Sequence, residues 1–74
     1  MVDVRIVFKT ALEHNAVGMI LAHNHPSGTL TASEADKQVT RQLKMAGHSL
    51  DIKVLDHVII TEHSYYSFAD AGIL

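Results

Sequence analysis

Apolar residues recur at helical spacing near the start of the chain, at intervals of three and four positions. The positions that share this spacing are Val4, Val7, Phe8, Ala11 and Leu12. Such a periodicity predicts an amphipathic helix with one buried face. Asp3 precedes it as a possible N-cap, and we expect the helix to run to about Asn15.

A continuous apolar run over Val17–Ala22 comes next and is typical of a buried strand. Pro26 and Gly28 follow it, and both residue types are expected to stop a strand. Beyond them, either Thr31 or Ser33 can cap a second helix.

The second helix is predicted from a stripe of apolar residues at helical intervals. Its members are Ala35, Val39, Leu43 and Ala46. Gly47 directly follows this stripe and is predicted to lie just after the end of the helix, where glycine is favoured.

Alternating apolar and polar positions then indicate a half-buried strand. Leu50, Ile52 and Val54 alternate with Asp51 and Lys53, and Val58–Ile60 continue the apolar pattern. A polar turn over residues 61–64 and a short strand over residues 65–68 follow. The order helix, strand, loop, helix, strand, turn, strand predicts a small α/β sandwich with about two helices and three strands.

The composition fits one small folded domain. With 74 residues of which 47% are hydrophobic, the chain is too apolar for a disordered protein but has room for only a small core. Its longest apolar stretch is too short to cross a membrane. The formal charge is −2, and the basic residues form no stripe along the sequence. The sequence therefore gives no strong signal for nucleic-acid binding. The lack of cysteine excludes disulfides and thiolate zinc ligands and fits a cytoplasmic protein.

The candidate chemistry lies where the first strand leads into the second helix. His23 and His25 are two apart, so on an extended backbone they point to the same side, about 7 Å apart. Asp36 falls in the first turn of the predicted helix. Two imidazoles and one carboxylate, with a fourth position left for water, are the ligand set of a catalytic zinc site. We therefore predict that these three residues bind Zn²⁺.

These residues also have simpler interpretations. Ser33-x-x-Asp36 before an apolar-periodic helix also fits a capping box, which has no chemistry. His14, His48 and His63 lie on a helix, past a helix end and in a turn, where solvated surface roles are favoured. His57 follows Asp56 in the middle of a strand, and the sequence leaves open whether it is a core residue or a partner of a metal ligand.

The spacing His23-x-His25-x7-Ser33-x-x-Asp36 resembles the motif of JAMM (MPN-type) metalloproteases. Three flanking blocks, His23–Gly28, Leu55–Ile60 and Tyr65–Phe68, narrow the resemblance to the RadC family, whose members are often labelled DNA repair proteins. The resemblance covers about residues 2–74. It implies the cytidine-deaminase-like α/β/α fold, zinc as cofactor, and Ser33 beside the metal-bound water, where it helps to stabilise an oxyanion.

The chain departs from the family pattern in one respect. JAMM enzymes use a glutamate on a strand upstream of the two histidines as general base. Before His23 the acidic residues here are Asp3 and Glu13, and both belong to the first helix or its cap. We therefore expect residues 1–74 to be the C-terminal part of a RadC-like JAMM/MPN domain, truncated at its N-terminus. It would then be a weak or inactive peptide or isopeptide hydrolase.

Other classes of function were considered. The main alternative is a non-catalytic interaction module associated with DNA repair or recombination. The string His23-Asn24-His25 spells HNH, but HNH nucleases draw these residues from separated positions, and a nucleobase deaminase would need cysteines. A peptide or protein substrate of unknown identity is expected. If the first part of the family's sheet is absent, the strand over Val17–Ala22 or its neighbour would have an open edge over an apolar face, and we therefore expect a homo-oligomer.

Overall fold

The computed structural model describes residues 2–25 and 32–74. Its elements in chain order are α1 (Val4–Glu13), β1 (Gly18–Asn24), α2 (Glu34–Leu50), β2 (Lys53–Ile60) and β3 (Tyr65–Ser67). This confirms the predicted α/β class with two helices and three strands. The expected roles of Pro26 and Gly28 in stopping β1, and of Thr31 as a cap, lie outside the described residues.

Helix α1 begins at the predicted cap. The carboxylate of Asp3 accepts a hydrogen bond from the Arg5 backbone N–H at 2.9 Å, which satisfies one of the free donors of the first turn. The helix ends at Glu13, slightly before the expected Asn15, which has a left-handed φ of 53°. Its buried residues are Phe8 and Ala11, both on the predicted apolar face.

Helix α2 continues past its predicted end, and the assignment of Gly47 as the residue after the helix was wrong. The helix runs to Leu50 and closes at Asp51, which adopts a left-handed φ of 57°. Gly47 is buried inside it, and a Cβ there would clash with the carbonyl oxygen of Ile52. The glycine therefore permits a close approach of the following chain, and β2 begins at Lys53 instead of Leu50.

The three strands form one mixed sheet in the order β1-β2-β3. β1 runs parallel to β2, and β2 runs antiparallel to β3. The register shifts between Met19 and Ile20, which pair with Val54 and Asp56 and leave Leu55 as an extra residue. Because α2 connects two parallel neighbours, it starts near the end of β1, and this places Asp36 beside the two histidines.

Both helices pack on the same face of the sheet. The main core cluster contains Phe8 and Ala11 of α1, Leu43 of α2, Ile52 just before β2, and Val54 of β2. A second cluster is formed by Ala32, Ile59 and Phe68. No helix within residues 2–25 and 32–74 is long and apolar enough to span a bilayer.

The opposite face of the sheet carries exposed apolar side chains. Ile20 on β1 is 63% exposed and Leu55 on β2 is 49% exposed. In the part of the chain that the structure describes, β1 is also an edge strand, since only β2 pairs with it. We refer to Ile20, Leu55 and the free edge of β1 as the open sheet face.

Candidate metal centre

The two histidines lie at the carboxyl end of β1. His23 belongs to the strand, and His25 extends its ladder by one residue, since its backbone N–H donates to the Ile60 carbonyl oxygen at 3.0 Å. The extended backbone turns both rings to one side, and their Nε2 atoms are 3.1 Å apart. Both side chains are partly buried.

Asp36 completes the group from the first turn of α2. Its Oδ1 lies 3.3 Å from His23 Nε2, and its Oδ2 lies 3.4 Å from His25 Nε2. These three residues form the cluster of potential metal ligands found among the described residues. The structure thus brings together all three predicted ligands, which come from positions up to thirteen residues apart in the chain.

The ligand spacing can be compared with the requirement of a tetrahedral zinc ion. Zinc binds nitrogen and oxygen donors at about 2.0–2.1 Å, and a tetrahedron of that size has edges of about 3.3–3.4 Å. The two Nε2 atoms are 3.1 Å apart, and each is 3.3 or 3.4 Å from a different oxygen of Asp36. One atom from each residue can be chosen so that all three lie within 4.8 Å of one another. The three residues could therefore hold a metal ion, and their donors are of the kinds that zinc binds.

Ser33 and Asp36 also form the capping box that the sequence allowed as an alternative. Ser33 Oγ accepts a hydrogen bond from the Asp36 N–H at 3.0 Å, and the Ser33 N–H donates to Asp36 Oδ2 at 3.0 Å. Helix capping and metal ligation are thus compatible at Asp36. The cap fixes the orientation of the carboxylate, as hydrogen bonds around metal ligands commonly do.

The environment of Asp36 favours its ionised form. Its partial burial opposes ionisation, but the hydrogen bonds with Ser33 and the neighbouring imidazoles outweigh this effect. The pKa of Asp36 is therefore lowered below its ordinary value. A carboxylate that is already ionised at neutral pH can bind a cation without losing a proton.

His57, whose role the sequence left open, is both a core residue and a neighbour of the cluster. It is fully buried, at 0% exposure, and its ring stacks on Phe68 with centroids 4.5 Å apart. Its Nε2 lies 2.9 Å from His23 Nδ1. Burial, together with the nearby His23, lowers the pKa of His57, so its ring is neutral at physiological pH.

Thr40 is a polar neighbour that the sequence analysis missed. It is buried in α2, and its Oγ1 lies 2.6 Å from His57 Nδ1 and 2.9 Å from the Asp36 carbonyl oxygen. Thr40 follows Asp36 by four residues, so both lie on the same face of the helix. The spacing of four residues from Asp36 was the signal in the sequence that could have identified Thr40. It points to a neighbour of the cluster only when α2 is known to face the histidines.

The glutamates of the chain lie outside the cluster of metal ligands. Each pairs with a neighbour in sequence: Glu13 with Lys9, Glu34 with Lys37, and Glu62 with His63. All three side chains are largely exposed. None therefore occupies the place of a general base within the cluster.

His14, His48 and His63 are exposed, as the sequence predicted. His14 lies at the C-cap of α1, where its Nδ1 is 2.9 Å from the Thr10 carbonyl oxygen. His48 lies in the last turn of α2, slightly further inside the helix than expected. These three residues take no part in the ligand cluster of the described residues.

The parallel β–α–β unit places two histidines at the end of its first strand and an aspartate at the start of its helix, as the resemblance to the JAMM motif implied. The profile of the RadC-like JAB domain matches residues 1–73. The chain therefore belongs to the RadC-like JAB domain family.

Curated relatives support this membership. A UPF0758 protein of Flavobacterium johnsoniae is 64% identical over 72 residues, which cover 97% of this chain and 31% of the relative. A UPF0758 protein of Symbiobacterium thermophilum is 47% identical over 74 residues, covering 100% of this chain and 32% of that protein. A UPF0758 protein of Thermotoga maritima is 47% identical over 70 residues, which cover 95% of this chain and 32% of that protein. The chain thus spans about a third of the length of these relatives.

Proposed function

We propose that this RadC-like JAB chain binds one Zn²⁺ through His23, His25 and Asp36. The observation that carries the proposal is the close approach of the three side chains: the two Nε2 atoms are 3.1 Å apart, and each lies 3.3–3.4 Å from one of the two oxygens of Asp36. Two imidazole nitrogens and one carboxylate suit zinc and leave a fourth position for water or substrate. The partial burial of the three side chains leaves them accessible to a metal ion.

The proposed reaction is metal-dependent hydrolysis of a peptide or isopeptide bond. Zinc in such a site supplies Lewis acidity and a bound water with a pKa of about 7. Ser33 would stabilise the oxyanion that develops on the substrate. Its Oγ accepts from the Asp36 N–H, and a hydroxyl that accepts one hydrogen bond can also donate one. The identity of the substrate stays a prediction at the level of peptide or protein.

We expect this hydrolysis to be weak or absent in the 74-residue chain. A positioned general base contributes about 10²–10⁴-fold to the rate, and the ligand cluster of the described residues includes no glutamate.

A cytoplasmic location is also proposed, because the chain has no cysteine.

The metal proposal is tested by zinc analysis of the purified protein. We expect one zinc per wild-type chain after purification with zinc supplied, and a large loss of zinc in His25→Ala because one of three ligands is removed. His63→Ala is the matched control, since His63 is exposed and lies outside the cluster. A zinc-free wild type, or a His25→Ala protein that carries as much zinc as wild type, would contradict the proposal.

A second candidate function is that of a non-catalytic interaction module associated with DNA repair or recombination. The open sheet face favours it, because Ile20 and Leu55 expose apolar surface next to an edge of β1 that pairs with no other strand within residues 2–25 and 32–74. We propose that a second copy of this chain covers this surface in solution, giving a homo-oligomer. Metal binding and self-association are compatible, because the ligand cluster lies at the end of β1 and not on the open sheet face.

A further inference from the structure

Three hydrogen bonds connect one proposed metal ligand to another through two buried residues. His23 Nδ1 lies 2.9 Å from His57 Nε2, and His57 Nδ1 lies 2.6 Å from Thr40 Oγ1. Thr40 Oγ1 in turn lies 2.9 Å from the carbonyl oxygen of Asp36. The chain of contacts therefore starts at His23, crosses from β1 to β2 to α2, and ends at Asp36.

The last contact fixes the direction of the whole chain. A carbonyl oxygen can only accept, so the single hydroxyl proton of Thr40 is donated to Asp36. Thr40 Oγ1 must then accept from His57, which places the proton of that neutral ring on Nδ1. His57 Nε2 is left as an acceptor, and it receives the proton of His23 Nδ1.

This direction assigns the tautomer of His23. With its proton on Nδ1, a neutral His23 carries its lone pair on Nε2, the atom that faces His25 and Asp36. We propose that His57 and Thr40 are positioning residues that hold His23 in this metal-binding tautomer and fix the orientation of its ring. The inference rests on the proposed zinc site and adds two residues to it.

The reverse direction would have the opposite consequence. If Thr40 donated to His57, the proton of His57 would lie on Nε2 and would be donated to His23 Nδ1. His23 would then be protonated on Nε2, and the ring nitrogen facing His25 and Asp36 could not bind a cation. The two directions thus predict different tautomers of His23, which can be distinguished experimentally.

The decisive measurement is the tautomer of each ring in the metal-free protein. Long-range ¹H–¹⁵N correlation spectra at about pH 8, above the ordinary imidazole pKa of about 6.5, distinguish Nδ1–H from Nε2–H rings. We expect both His23 and His57 to be Nδ1–H tautomers. A predominantly Nε2–H His23 in the metal-free wild type would overturn the inference, and this test requires no variant to fold.

Variants of Thr40 test the consequence for metal binding. Thr40→Val keeps the shape of the side chain but removes the hydroxyl, whereas Thr40→Ser keeps the hydroxyl. Loss of a group that orients a metal ligand typically weakens metal binding by about 10–100-fold. Competition with a zinc chelator should show such a loss for Thr40→Val and near wild-type affinity for Thr40→Ser. Thr10→Val, at an exposed position of α1, is the matched control.

The outcomes separate this inference from the proposed function. Wild-type zinc affinity in a folded Thr40→Val protein would overturn the positioning role while leaving the zinc site intact. A wild type that binds no zinc but shows the Nδ1–H tautomer of His23 would instead overturn the proposed function, and it would support the assigned direction of the hydrogen bonds.

Discussion

At the scale of single residues, Asp56 connects β2 to the end of the chain. Its carboxylate accepts hydrogen bonds from the Ser67 hydroxyl and from the backbone N–H groups of Ala69 and His57. Burial opposes ionisation of Asp56, but these hydrogen bonds outweigh it, and its pKa is lowered. The carboxylate thus fixes the backbone of His57, whose ring contacts His23 of the candidate ligand cluster.

The lowered pKa of Asp56 predicts a loss of stability in acid. The folded state binds the carboxyl proton of Asp56 less tightly than the unfolded state does. The ionised carboxylate therefore stabilises the folded state, and this stabilisation is complete above the ordinary pKa of about 3.9. It is lost as the pH falls through the folded-state pKa. We expect Asp56→Asn to lower the free energy of unfolding at pH 7 by about 1–2 kcal/mol, and the difference from wild type to shrink below about pH 4.

Urea unfolding between pH 2 and pH 7 measures this effect. Asp70→Asn serves as the control, because Asp70 is exposed and contributes its backbone N–H, not its carboxylate, to the bond with Ser67. If the free energies of unfolding of Asp56→Asn and wild type differed by the same amount across this pH range, the stabilising role of the Asp56 carboxylate would be contradicted.

At the scale of the elements, α2 supports both the core and the candidate ligand cluster. Its first turn supplies Asp36, its middle supplies Thr40 and Leu43, and its last turns approach the start of β2 at Gly47. A displacement of this helix would therefore change the position of the ligand as well as the packing.

Gly47→Ala should destabilise the protein, although alanine favours helices by about 1 kcal/mol over glycine. The added Cβ would clash with the Ile52 carbonyl oxygen, a backbone atom that cannot turn away. Overpacking of this kind costs about 1–3 kcal/mol. We expect a net loss of free energy of unfolding, measured by urea or thermal unfolding.

Ser49→Ala is the control for this prediction, because Ser49 is exposed on the same helix and its change should stay within about 0.5 kcal/mol. A Gly47→Ala protein as stable as wild type would show that the Ile52 backbone moves away easily.

At the scale of the whole molecule, the described chain forms one helical layer on one face of a small sheet. The other face exposes Ile20 and Leu55, and the chain spans about a third of the length of its relatives. Its self-association and its activity are therefore the two properties that most need to be measured on this chain.

If the open sheet face mediates self-association, the protein should form a dimer or larger oligomer at protein concentrations of tens of micromolar. Ile20→Lys places a charge on this face and should shift the protein toward monomer in sedimentation velocity. Ile6→Lys on α1 is a matched control, since Ile6 is similarly exposed, at 57%, but does not lie on the sheet. A wild type that sediments as a monomer at these concentrations would exclude the oligomer.

Peptidase activity of the 74-residue chain is expected to be weak or undetectable, and to rise when upstream residues that include a glutamate are joined to it. The reason is that the ligand cluster of the described residues includes no glutamate, and a positioned general base contributes about 10²–10⁴-fold to the rate. Zinc-dependent hydrolysis of a set of peptide and isopeptide substrates measures this difference. Strong hydrolysis by the chain alone, unchanged in Glu13→Gln, Glu34→Gln and Glu62→Gln, would contradict the prediction.

Local spacing in the sequence was sufficient to predict the α/β class, the two helices apart from the end of α2, and the shared side of the two histidines, whereas the approach of Asp36 to them depended on α2 connecting two parallel strands. The two histidines are neighbours on one extended segment, and Asp36 lies in a helix turn marked by its cap. Periodicity and capping depend on residues within a few positions of one another, and these relations are visible without a fold.

The tertiary structure alone decided which distant residues meet. His57 is 34 positions from His23 and contacts it because β1 and β2 pair in parallel with a shifted register. Gly47 marks a close approach of the chain, and not the helix end that its residue type suggested. Such contacts depend on strand register and on the packing of α2, which arise from burial across the whole chain and leave no periodic signal in the sequence.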